Sequence, residues 1–136
     1  MRASEFEIES DIIIGKGIEI KDILDMRVLV EKIILAPTKY PGKNKSGLRM
    51  QMQIVYATFN QTKDADGDYF QKDTKGVAIG DRVSCFTGSD CLMSEIQKME
   101  AQLKDINSRI TNGDKPKKLF PLDTTIVKIG KSFHFK

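Results

Sequence analysis

Apolar and polar side chains alternate most clearly between residues 48 and 57. Leu48, Met50, Met52, Ile54 and Tyr56 alternate with Arg49, Gln51, Gln53, Val55 and Ala57. A period of two predicts a strand with one buried face and one mainly polar face. Upstream, Val28, Leu29, Val30, Ile33, Ile34 and Leu35 are strand formers. Glu31-Lys32 breaks their alternation, which predicts a bulge or a bend. Pro37, Pro41, Gly42 and Gly47 bracket a turn-rich loop between these two strands. Arg82 to Thr87 reads as a third strand. Leu92, Ile96, Met99, Leu103, Ile106 and Ile110 then recur at steps of three and four, the stripe of a helix over about residues 90–110. Ser89 or Asp90 is placed to cap it, and Asn112-Gly113 to end it. Thr124–Ile129 and Ser132–Phe135 read as two strands joined by a tight turn at Gly130-Lys131. Ile18 to Met26 fits either a short helix or an edge strand.

The predicted order is three strands, a helix and two strands, in a chain of 136 residues that suits one domain. Residues 1–17 read as an N-terminal arm and residues 18–136 as the domain. No stretch approaches the roughly 18 apolar residues that cross a membrane. The start of the chain lacks the apolar run of a secretory signal. Cys85 and Cys91 are too few for a disulfide framework, so the expected setting is the cytoplasm.

Charge alters this picture through its distribution. The net charge of +3 divides into −4 over residues 1–26, +5 over 27–49, −3 over 50–114 and +5 over 115–136. Two separate basic segments suit a polyanionic partner, or else an uneven solvated surface.

Catalytic and metal readings find little support. His134, the one histidine, has no motif around it. Cys85 and Cys91 lack the close pairing of zinc ligands. Asp64, Asp66 and Asp68 resemble part of a calcium loop, but Gly67 falls at the fourth position and the closing glutamate is absent. A hairpin turn explains them better. The expectation is therefore a protein without catalysis, metal or cofactor.

The order of elements resembles the OB-fold, a five-stranded Greek-key barrel with its helix between the third and fourth strands. Two motifs sharpen the resemblance. Arg82-Val83-Ser84-Cys85-Phe86-Thr87-Gly88-Ser89, then a helix, then Phe120-Pro121-Leu122-Asp123-Thr124-Thr125-Ile126-Val127-Lys128 is similar to small OB-type proteins encoded by phages and conjugative plasmids. The OB family binds oligonucleotides on the face of its second and third strands and on two flanking loops. Both +5 segments contain those loops. The resemblance thus implies sequence-tolerant binding of single-stranded DNA, with RNA as the other ligand of this class, in plasmid or phage DNA processing. The alternative is an OB-type module for protein–protein contact, without nucleic acid.

Single strands are held by cations along the phosphates and by aromatic faces under the bases. The expected binding residues are Lys39, Tyr40, Lys43 and Lys45 in the first loop and Arg49, Gln51 and Gln53 on the second strand. Arg82 and Phe86 on the third strand and Lys128 and Lys131 around the last turn complete the set. Phe86 is either a stacking platform or a core ring. Tyr69 and Phe70 are either a second stacking site or an anchor for the 60–80 loop. In the arm, Phe6, Ile8, Ile12, Ile13 and Ile14 are expected to contact a second copy, giving a homo-oligomer, or to dock on their own domain.

Overall fold

The computed structural model describes residues 13, 15–37, 45–110 and 116–136. Its strands are β1 (Lys16–Ile18), β2 (Arg27–Pro37), β3 (Leu48–Ala57), β4 (Gly80–Thr87), β5 (Leu122–Ile129) and β6 (Ser132–Phe135). Among the described residues, an α-helix, α1 (Asp90–Ser108), lies between β4 and β5, and a 3-10 turn spans Ile20–Asp22. The sheet order is β1-β4-β3-β2-β5-β6.

The expected inner set of β3 packs as its alternation requires. Met50, Met52 and Ile54 are fully buried, together with Val28, Val30, Cys85 and Ile126. Strand β2 is long enough to serve two neighbours. Its first half pairs with β5 and most of its length with β3, and its register slips between Val30 and Lys32. The predicted interruption at Glu31 is this bulge, which lets one strand bend from one partner toward the other.

Ser89 caps α1 by accepting a hydrogen bond from the Leu92 amide. Leu92, Met93 and Ile96 bury the first two turns of the helix against the sheet. Farther along, Ile106 is exposed. The apolar stripe is therefore longer than the surface it covers. Glu95 ties α1 to β6, accepting from the Phe135 amide at 2.9 Å and pairing with His134 at 3.3 Å.

Two expectations are corrected. The described residues form six strands rather than five, and their sheet is open rather than a closed barrel. The physical reason lies in residues 15–26. Strand β1 runs parallel to β4 and takes up its outer edge, pairing Lys16 with Val83 and Ile18 with Cys85. Gly15 makes the approach possible, since its φ is +109° and an added Cβ would come within 2.3 Å of the Arg82 carbonyl oxygen. The chain then crosses to β5. Leu24 bridges Ile126, and the Asp25 amide donates to the Ile126 carbonyl. Ile18, Ile20, Ile23 and Leu24 on this strap pack against the main core, with Ile23 fully buried. The segment between Ile18 and Met26 is thus part strand and part 3-10 turn. It covers the apolar side that the open sheet leaves.

Residues 58–79 form an excursion between β3 and β4. It folds back over the outer face of the sheet. Phe59 bridges Phe70, and Phe70 and Ala78 bury themselves against Leu29 and Val55 as a second, smaller core. Phe70 is therefore an anchor. The Asp64–Asp68 turn is also internally satisfied. Lys72 places its ammonium 3.2 Å from both Asp64 and Asp66 and bonds Asp68 as well. These partners raise the Lys72 pKa.

The strap predicts an asymmetric response to truncation. Ile23→Ala should cost about 2–5 kcal/mol through a core cavity. Ile106→Ala should stay within about 0.5 kcal/mol, as at a surface position. Urea denaturation of the two variants checks this; equal losses would show that the strap is not part of the core.

Candidate nucleic-acid interface

The outer face of the sheet is laid out in rows across β2, β3 and β4. Leu29, Val55 and Arg82 form one row, and Lys32, Gln53 and Ser84 the next. Ile34, Gln51 and Phe86 follow, then Ala36 and Arg49. Neighbouring strands are about 4.8 Å apart, so a row of three spans roughly 10 Å.

The excursion closes the first of these rows, and Glu31 closes off the next. The Glu31 carboxylate accepts from Arg82 Nε at 3.1 Å and Arg82 Nη2 at 2.8 Å, and from the Gln53 amide. Arg82 also donates to the carbonyls of Ala78 and Gly80. Gln53 is only 2% exposed. Of the expected binding residues, Gln53 and Arg82 are therefore held inside the protein's own polar network. The hydrogen bond that Arg82 donates to Glu31, its largest influence, raises the Arg82 pKa.

The last rows stay open. Phe86 is 47% exposed, and the Arg49 guanidinium carbon lies 5.5 Å from its ring centroid. Between these alternatives, the ring is a surface ring. Gln51 stands opposite Phe86 and donates to Ser84 Oγ at 3.0 Å. Ile34 and Lys32 complete the patch from β2, half-buried. Neither stood out in the sequence, because the bulge reverses which β2 residues face outward.

Basic residues border this end of the sheet. Lys131 lines an open cleft of about 420 Å³ with Thr87, Ser89, Asp90, Cys91 and Phe133. Lys45 lines a neighbouring cleft of about 350 Å³ with Ser46, Leu48 and Asp90. Asp90 joins the two. Its carboxylate accepts from Ser46 Oγ at 2.5 Å and from the Lys45 amide at 3.0 Å, which fixes the end of the first loop to the start of α1. Lys128 sits farther back, 6.0 Å from the Phe133 ring. The structure thus gathers Lys45, Arg49, Gln51, Phe86 and Lys131 at one end. Lys39, Tyr40 and Lys43 lie outside the described residues, as do Phe6, Ile8, Ile12 and Ile14; Ile13 is half-buried.

A second group of rings and cations lies at the other end of the outer face. The Arg27 guanidinium lies 4.2 Å from the Phe59 centroid and 5.5 Å from that of Tyr69, and is held by Asp123 at 2.9 and 2.6 Å. Lys63 lies 5.6 Å from Tyr69. Sequence periodicity gave no sign of this stack, since residues far apart in the chain make it.

No family model matches the chain, and neither does any curated protein or solved structure.

Two outcomes follow from the polar contacts. Glu31→Ala should destabilise the fold by about 1–3 kcal/mol, because it removes the carboxylate that accepts from both Arg82 and Gln53 in a half-buried site. Adding Arg82→Met should recover part of that loss in urea denaturation. Asp90 should titrate below the ordinary 3.8, chiefly through its bond from Ser46. Its folded value is depressed, so its tie to the first loop is complete at neutral pH and lost as pH falls through that value. Carboxyl NMR should show the midpoint below 3.8, and Ser46→Ala should raise it; no change would remove Ser46 as the cause.

Proposed function

We propose that the protein binds single-stranded nucleic acid, DNA in the first place and RNA in the second, and does no chemistry on it. One observation carries the reading: an exposed Phe86 beside Arg49, in a row with Gln51 and Ile34, bordered by Lys45 and Lys131. A base can stack on the ring while the cations at this end meet neighbouring phosphates. Stacking of this kind is worth about 1–3 kcal/mol per base and tolerates any sequence.

The finer parts of the reading rest on resemblance. A curved, partly open Greek-key barrel is the OB architecture. The long β2 shared between two neighbours and the helix between β4 and β5 are compatible with it. Service in plasmid or phage DNA processing, and assembly through the N-terminal arm, belong to the same proposal. So does a cytoplasmic setting, which suits the free thiols of Cys85 and Cys91. The non-catalytic reading draws on the same residues that chemistry would need. His134 is paired with Glu95. Burial pushes the Cys85 thiol up to about 11. No helix among the described residues is long and apolar enough to cross a membrane.

A second reading, a protein–protein module, draws on the exposed Ile106 of α1. Fluorescence anisotropy with a labelled oligothymidylate at about 50 and 200 mM salt separates the two. Affinity should fall steeply between these salts. Phe86→Ala should weaken binding roughly 5–100-fold at an unchanged salt slope. Replacing Lys45, Arg49 and Lys131 together with alanine should lower that slope by about 2, at about 0.7 per phosphate contact. Absence of binding by the parent at low salt would leave the protein–protein reading.

A further inference from the structure

We infer that the contacted single strand is short, about four nucleotides, and that the excursion at residues 58–79 sets the limit. The inference rests on the nucleic-acid reading above. Three separate observations support it.

First, the excursion removes surface. With Phe70 and Ala78 seated on Leu29 and Val55, the row containing Arg82 is covered, and Glu31 holds the polar groups beside it. The open outer face is left with the rows of Ile34 and Ala36, and the Lys32 side chain at its border. Second, the aromatic rings of the excursion are engaged within the protein. Phe70 is buried. Tyr69 has its own cations, Arg27 and Lys63, within 5.6 Å of its ring, so a base would have to displace them. Third, the excursion repels phosphate. Asp64, Asp66 and Asp68 bring their carboxylates within 4.8 Å of one another, and Lys72 neutralises only one of the three charges. Asp66 is the most exposed of them. Repulsion from such a cluster reaches about 8–10 Å at moderate salt.

A strand leaving the Phe86 end toward Tyr69 therefore meets covered sheet, occupied rings and negative charge in turn. The favourable path runs over the Ile34–Gln51–Phe86 row beside this basic end and stops there. OB domains span about 4–16 nucleotides, and this arrangement places the protein at the low end.

The test is a length series of oligothymidylates, from 3-mer to 16-mer, on the full chain at low salt. Affinities are corrected for the number of binding registers. The 4-mer should bind within about threefold of the 12-mer. Asp66→Lys should strengthen the 12-mer at least threefold and leave the 4-mer within twofold, since only the longer strand reaches the excursion. A parent affinity that climbs tenfold or more from 4-mer to 12-mer would overturn the inference and make the excursion part of the path. An equal effect of Asp66→Lys on both lengths would overturn it too. If no length binds, the nucleic-acid reading itself fails, and the footprint with it; binding that grows with length refutes the footprint alone.

Discussion

Glu31 stands where β2 slips register against β3, and the layout of the outer face follows from its carboxylate. The slip lets one continuous strand pair with β5 at its start and with β3 along the rest. It also turns the Glu31 side chain toward Arg82 and Gln53. A half-buried carboxylate needs donors, and these two residues supply them. Arg82 in turn grips the carbonyls at the end of the excursion. One polar cluster thus joins three strands to the segment that folds over them.

That cluster divides the face. On one side Phe70 and Ala78 complete a small apolar core, and Arg27 with Phe59 and Tyr69 staples the excursion down. On the other side Phe86, Arg49, Gln51 and Ile34 remain accessible to a ligand. The main core lies on the opposite face, closed by the strap at residues 15–26. Burial of Ile23 there makes the N-terminal edge of the domain a structural element, and β1 spans residues 16–18.

Much of this was legible from the chain. The alternation of β3, the cap at Ser89, the helix stripe and the Glu31 interruption each have a local physical cause, and each predicted element is present. Phe86, open in the sequence between a stacking platform and a core ring, is exposed on β4, because period two turns it away from the buried Val83 and Cys85. Gln53 and Arg82 share that parity but are enclosed. Their fate depends on where residues 58–79 fold, and no periodicity specifies that. The parallel pairing of β1 was hidden for the same reason: three residues joined to a strand 67 positions away leave no local pattern. The long helix stripe misled in the opposite sense, since its spacing records helicity and not how far the sheet extends beneath it.

The central claim is that the open end of the outer face holds a single strand. Amide chemical-shift mapping of the labelled full chain, titrated with a short oligothymidylate, tests it most directly. Shifts centred on Arg49, Gln51, Phe86 and Lys131, with Tyr69, Phe70 and Ile106 unmoved, are the expected result. Shifts centred on the distal half of α1, or on the excursion with Phe86 unmoved, would contradict it.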